Sequence, residues 1–309
     1  MINREAIVTA IKLGDINTLR EYITQADKTL INEQDKEGDT LLHVAVKYLC
    51  QSHHLTENIP DNIADVILLL AKHVNRRVRN GDKKLAVHYL LGCEATTFDG
   101  DCYIPVLDAL LTEEYIDEEC DVEGRHILHD AAQFKKWDIV RLLVNKGIRV
   151  TVVDGCGNHA LFYVTYERDV PDDIVQMLSH PDVINELDRC GYTPLMRAAS
   201  VGNSEMVEQL IRTGADNTVI GGNSNTALIL AVSYNGKLSV EALKALIHPS
   251  IVNHKDKNSE TALHFAASHW NVAAIEVLIN AGADINVKCH NGQNQSTFIA
   301  VTDNSLKQQ

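Results

Sequence analysis

The stretch Asp188-Arg189-Cys190-Gly191-Tyr192-Thr193-Pro194-Leu195-Met196-Arg197-Ala198-Ala199 decides how this chain folds, because it recurs. A second copy reads Asp256-Lys257-Asn258-Ser259-Glu260-Thr261-Ala262-Leu263-His264-Phe265-Ala266-Ala267. The small residue that opens the motif falls at Gly38, Gly81, Gly124, Gly157, Gly191, Ser224, Ser259 and Gly292, with gaps of 43, 43, 33, 34, 33, 35 and 33 residues. A sustained period of about 33 residues marks stacked repeats. Each place also has a physical use. A Gly or Ser fits a tight turn. Thr caps the helix that follows, and Pro194 suits its first turn, where a missing N–H costs little. Paired alanines let neighbouring helices approach closely. The runs Ile139-Val140-Leu142-Leu143, Met206-Val207-Leu210-Ile211 and Ile275-Val277-Leu278-Ile279 follow helical spacing with one apolar face. Gly147, Gly214 and Gly282 then end the second helix of their repeats.

With Gly214-Ala215-Asp216 and Gly282-Ala283-Asp284-Ile285-Asn286 downstream, both copies resemble the ankyrin pattern D-x-x-G-x-T-P-L-H-x-A-A followed by G-A-D-x-N. Residues 121–153 and 35–46 fit it too, the latter through Gly38, Thr40, Leu42, His43 and Ala45. The resemblance covers nearly the whole chain. It implies an all-α solenoid of helix-turn-helix units with short β-hairpin or loop tips. It also implies a surface for holding another protein rather than a catalytic centre.

On this reading residues 1–309 form one ankyrin-repeat domain, since a repeat contacts only its neighbours and an array grows without splitting. Residues 1–31 read as an N-terminal capping helix pair, 32–120 as two divergent repeats with long insertions, 121–288 as five regular repeats, and 289–309 as a partial C-terminal cap with a helix near Ser296 to Val301. The first long loop spans about 50–61 and the second about 92–104. The repeat opened by Gly81 is the most divergent, with Lys83, Lys84 and Ala86 at the Thr, Pro and His places and a second helix expected from Pro105 to Leu111.

A net charge of −14 argues against a nucleic-acid binder, because phosphate contacts need clustered Lys and Arg. One basic stretch, Lys72 to Arg79 with Lys83 and Lys84, reads as a solvated hairpin and helix end or as a docking patch for an acidic partner. No run of about 18 apolar residues predicts a membrane span. The early charges of Met1-Ile2-Asn3-Arg4-Glu5 give no signal-peptide core. Seven unclustered cysteines suit a reducing interior rather than a disulfide scaffold. The expectation is a cytoplasmic monomer with no cofactor and no metal.

Fourteen histidines invite a search for catalytic or metal sets. His129 and His264 hold the T-P-L-H place, where the resemblance implies hydrogen bonds within and between repeats, and His126 shares a helical face with His129. His53 and His54 with Cys50 fall short of a zinc set. Cys156 near His159 and Cys289 beside His290 sit at hairpin tips, where a thiol lacks an activating base. Cys120 and Cys190 read as ordinary turn residues. No phosphate-binding glycine loop is present, and Gly155-Cys156-Gly157 and Gly221-Gly222 read as turns.

In ankyrin arrays the tips and first helices line one concave face, so the resemblance directs attention to the places after the two small helix residues. These are Lys47 and Tyr48, Gln133 and Phe134, Tyr166 and Glu167, Ser200 and Val201, Ser233 and Tyr234, and Ser268 and His269; Arg125 and Tyr192 stand at the hairpin. Aromatics are 5% of the chain, yet Tyr48, Phe134, Tyr166, Tyr192 and Tyr234 all fall here. Large rings supply anchor area at low entropy cost. Trp137 takes an aliphatic place and reads as core, whereas Trp270 stands where a turn glycine belongs and reads as exposed. The expected partner-binding set is therefore Tyr48, Arg125, Gln133, Phe134, Tyr166, Glu167, Tyr192, Tyr234, His269 and Trp270. The function expected is an adaptor binding a protein or peptide. Its rivals are the substrate-recruiting arm of an enzyme complex and a self-associating scaffold. Uneven insertions also resemble ankyrin effectors that intracellular bacteria or large viruses deliver into host cells, which would place the chain in host cytoplasm. Such repeats can be hydroxylated at hairpin asparagines, here Asn185, Asn253 and Asn286.

Overall fold

The computed structural model describes residues 2–51, 62–91, 100–111, 124–233 and 238–288, with the backbone alone at 51 and 100–103. Tyr234, His53, His54, Cys120, Cys289, His290, Gly292 and the expected capping helix at 296–301 lie outside them, as does most of each long loop. The chain divides into two compact units, residues 1–155 and 156–309. Regular structure among the described residues is helical, joined by turns.

In the first unit α1 (Arg4–Leu13) and α2 (Ile16–Gln25) form a hairpin, followed by the short α3 (Lys28–Ile31). Three further pairs follow: α4 (Leu41–Gln51) with α5 (Ile63–His73), α6 (Ala86–Leu91) with α7 (Gly100–Leu110), and α8 (Ile127–Gln133) with α9 (Trp137–Asn145). First helices α1, α4, α6 and α8 pack in succession, and second helices α2, α5 and α7 do the same. The second unit repeats this with α10 (Ala160–Val164) and α11 (Asp172–Leu178), α12 (Pro194–Ser200) and α13 (Ser204–Arg212), α14 (Ala227–Ser233) and α15 (Val240–Ala245), and α16 (Ala262–Ser268) and α17 (Val272–Asn280).

Helices of five to nine residues, as in α10 to α13, are too short to persist alone. Burial holds them. Leu128, Leu195, Leu228 and Leu263, one in each of four first helices, are all within 1% of full burial, each contributing roughly 1.5–3 kcal/mol. Ala198 and Ala199, both fully buried, let α12 pack closely against α14. N-caps fix the starts: Thr193 Oγ1 accepts from the Met196 amide at 3.2 Å, and Asn203 Oδ1 from that of Met206 at 3.2 Å.

Three expectations are corrected. The helix expected over 105–111 begins at Gly100 and carries Pro105 inside it, so it takes in part of the second loop. Trp137 is half-buried at the start of α9 rather than a core residue. Cys50 is disulfide-bonded, against the expectation of a reducing interior, while Cys156 and Cys190 are free and exposed.

The divergent second repeat also opens in a different register. The amide of Gly38 donates to Asp35 O at 2.9 Å, and its φ is 79°. The residue with that geometry in the next repeat is Lys83, whose amide donates to Asn80 O at 2.9 Å with φ 59°. Repeat two therefore opens at Lys83 and not at Gly81, and its histidine place is His88 rather than Ala86. Gly81 instead links two tips. Its amide donates to Glu37 O at 2.9 Å, and a Cβ there would lie 2.7 Å from that oxygen. Gly222 and Lys257 make the same link, to Gly191 O at 2.7 Å and Asn223 O at 3.1 Å. Successive tips are thus stitched by backbone hydrogen bonds.

Candidate functional site

In four tips a side chain three residues before the opening place builds the turn. Asp35 Oδ1 accepts from the amides of Glu37 and Asp39, both at 2.9 Å. Asn80, Asp188 and Asp256 accept from the two corresponding amides at 2.8–3.1 Å. Asp35 is held below the usual carboxylate range: burial works against its charge, but these amides and Arg4 outweigh it. A histidine locks the following helix start. Nδ1 of His43, His88, His129 and His264 accepts the amides of Thr40, Leu85, His126 and Thr261 at 2.9–3.2 Å. His43 Nε2 also reaches Lys84 O at 3.0 Å, tying two repeats together. Burial pushes the pKa of His43 and of His264 down, so the neutral ring is the working form. Histidine at this place is structural.

In the first unit, Asp39 is buried between repeats. Its carboxylate takes Lys47 Nζ at 2.5 Å and Asn80 Nδ2 at 2.8 Å, and Arg4 donates to its carbonyl at 2.8 Å. Lys47 Nζ lies 4.6 Å from the centre of the Tyr89 ring. Burial opposes its charge, yet Asp39 and Tyr89 raise the lysine pKa above its ordinary value. Lys47 is therefore committed to this network, although the repeat pattern places it on the exposed face. Tyr48 beside it is half-buried. Arg125 Nη1 donates to Gln133 Oε1 at 2.7 Å, and Phe134 is 47% exposed.

In the second unit the tip Asp188 is buried, and its Oδ2 receives Arg197 Nε at 2.7 Å together with Arg197 Nη2. The guanidinium carbon sits 4.6 Å from the centre of the Tyr192 ring. Burial works against the charge of Arg197, but Asp188, Cys190 and the nearby Tyr166 together raise its pKa. Tyr166 is 52% exposed, Tyr192 and Glu167 are half-buried, and Asn203 Nδ2 fixes the Glu167 carbonyl at 2.6 Å. Tyr166, Tyr192 and Arg197 therefore come together, and Arg197 is the member that the sequence reading missed. The aspartate nine residues before it is the signal that points to it. His269 is exposed, and Trp270, 55% exposed, has φ 56° in the inter-helix turn where Gly14 and Gly202 stand. The hairpin asparagines are linkers: Asn185 and Asn253 accept the amides of Asp216 and Asp284 at 2.8 and 2.7 Å.

Among the described residues no three His, Cys, Asp or Glu side chains converge as a metal set, and no helix is long and apolar enough to cross a membrane. Family profiles described as "Ankyrin repeats (3 copies)" match residues 161–249, 195–289 and 233–307, and one described as "Ankyrin repeats (many copies)" matches 128–178. The chain belongs to the ankyrin-repeat family. Ankyrin repeats are protein–protein interaction modules and in general non-catalytic. Among relatives, human transient receptor potential cation channel subfamily A member 1 is 26% identical over 56% of this chain and 16% of its own length. Ankyrin repeat protein L371 of Acanthamoeba polyphaga mimivirus is 28% identical over 57% of this chain and 24% of its own. The mouse B-cell lymphoma 3 protein homolog is 26% identical over 88% of this chain and 50% of its own. The matched ankyrin region is half or less of each of these relatives.

Proposed function

We propose that this chain is a non-catalytic adaptor that holds a protein partner on the tip and first-helix side of its second unit, centred on Tyr166, Tyr192 and Arg197. The observation that carries this reading is the Asp188–Arg197–Tyr192 stack beside the exposed Tyr166 ring. Asp188, itself capped by two amides, fixes Arg197, and Arg197 fixes Tyr192. A partner meeting side chains already ordered in this way is spared most of their ordering entropy. Aromatic and arginine side chains are also the residues in which binding energy concentrates. His269 and Trp270 extend the candidate set along the same unit.

The test uses the intact chain, immobilised, and the double variant Tyr166→Ala/Tyr192→Ala with an unchanged melting temperature. A protein retained from lysate by the native chain should be lost by the variant, with removal of one true anchor costing about 2 kcal/mol or more. If every retained protein binds both forms equally, this surface is not the binding site.

A further inference from the structure

The second-helix side of the same unit carries a pocket that the adaptor reading does not use. It is a half-open hollow of about 490 Å³ between α11 and α13, lined by Asp172, Gln176, Ser179, Gln209, Arg212 and Thr213, all polar. The comparable groove between α15 and α17 is instead lined partly by Val240, Ile247, Ala273 and Val277. Gln209 stands out in register. Five residues before the helix-ending glycines Gly147, Gly214 and Gly282 come Leu142, Gln209 and Val277, so an amide replaces an aliphatic side chain. It is 4% exposed. Its Nε2 donates to Val170 O at 2.9 Å and Asp172 Oδ1 at 2.7 Å, while its Oε1 is buried with no hydrogen-bond partner. Ser179 Oγ, in the same lining, is likewise buried and unpartnered. An unmet buried acceptor such as Gln209 Oε1 costs about 1–3 kcal/mol, and the Ser179 hydroxyl, able to accept as well as donate, adds a second unmet oxygen to the same lining.

We propose that this pocket receives a primary ammonium group. Such a group carries three donors and no acceptor, which matches Gln209 Oε1, Ser179 Oγ and the Asp172 carboxylate. Both unmet oxygens are closed to solvent, and the proposed route for the group is displacement of Arg212, the cation on the same lining. That side chain is 63% exposed and is held only at 3.4 Å, by Asp172 Oδ1 and by the Glu208 carbonyl. The ammonium takes its place on Asp172. An alkyl stem then lies along the methylenes of Gln176 and Arg212.

The experiment follows the side-chain amide resonances of Gln209 in the intact, isotope-labelled chain at constant ionic strength. Butylamine, a lysine-containing tripeptide with blocked ends, spermidine and tetramethylammonium serve as probes. Saturable shifts are expected with the first three and none with tetramethylammonium, which has no N–H. A response to the tripeptide at least as tight as to butylamine identifies the lysine of a partner protein as the source; a markedly tighter response to spermidine identifies free polyamines. Arg212→Ala should tighten butylamine binding several-fold. Gln209→Leu, which restores the residue type found at Leu142, should fold normally and lose the butylamine response, read on the Thr213 amide. No saturable shift, an equal response to tetramethylammonium, or undiminished binding by Gln209→Leu overturns the proposal. None of these outcomes bears on the Tyr166 surface, whose test is separate.

Discussion

The backbone amide of Gly81 donates to the carbonyl of Glu37 at 2.9 Å, joining the tips of two successive repeats. A Cβ at Gly81 would stand 2.7 Å from the Glu37 oxygen, closer than real contacts allow. Gly81→Ala must therefore part the two tips, and it is expected to destabilise the chain by about 1–3 kcal/mol. Lys83 is the opposite case. It holds φ 59° where Gly38 holds 79°, and a left-handed backbone costs a side-chain-bearing residue about 1–2 kcal/mol. Lys83→Gly should then be neutral or stabilising by up to about 1 kcal/mol, because glycine's greater unfolded-state entropy takes back part of the gain. Urea denaturation of both variants checks the pair. If Gly81 were instead the opening residue, Lys83 would hold ordinary backbone and Lys83→Gly would destabilise by about 0.5–1 kcal/mol.

That pair also shows what the sequence could and could not carry. Period, helix pairing and capping were legible because the same side chains recur at the same places, as Thr193 and Thr261 do. Register within the second repeat was not. There a lysine occupies the left-handed turn and a glycine sits two residues earlier for a different reason, close approach of two backbones. Pattern matching follows residue type, whereas the turn follows backbone angle. The surface was half legible for a related cause. Exposed places could be counted off, and Tyr166 and Phe134 are indeed exposed. Counting could not tell that Lys47 turns inward onto Asp39, or that Arg197 lies on Tyr192, since both pairings depend on side-chain reach in three dimensions.

Arg197 is expected to matter for stability as well as for recognition. Arg197→Ala leaves the buried Asp188 carboxylate with its two amide donors but no counter-charge, and breaking such a pair costs about 3 kcal/mol. Arg197→Lys keeps the charge but loses the two-pronged contact and the flat stack on Tyr192, so it should recover only part of that loss. Guanidinium denaturation of the two variants gives the order: native, lysine, alanine. Equal stability of the lysine and native forms would show that charge alone holds the tip.

Stability should fall on mild acidification, and histidine sets the window. The folded pKa of His43 and of His264 is depressed, chiefly by burial. Their contribution is thus complete above the unfolded value of about 6.5 and is lost as pH falls through the folded value. Protonating Nδ1 of His43 would also set an N–H against the Thr40 amide that it accepts. The urea midpoint of the native chain should therefore drop between neutral pH and about pH 5, before most carboxylates titrate. His43→Gln should be less stable at neutral pH and show a shallower decline. An identical slope in that variant would mean that His43 does not contribute to the acid sensitivity.

Trp270 offers a way to separate stability from binding. Its backbone, at φ 56°, occupies the left-handed place that glycine fills at Gly14 and Gly202, so replacing it with glycine relieves about 1–2 kcal/mol of strain. The indole is 55% exposed, and the burial given up is about half that of a full aromatic side chain, on the order of 1 kcal/mol. The two nearly cancel, and Trp270→Gly should melt within a few degrees of the native chain. A strained, exposed aromatic is a candidate for work at an interface. Partner binding by Trp270→Gly should accordingly weaken by tenfold or more, measured by titration calorimetry with a partner recovered on the native chain. Unchanged affinity at unchanged stability would remove Trp270 from the binding surface while leaving Tyr166 and Tyr192 in place.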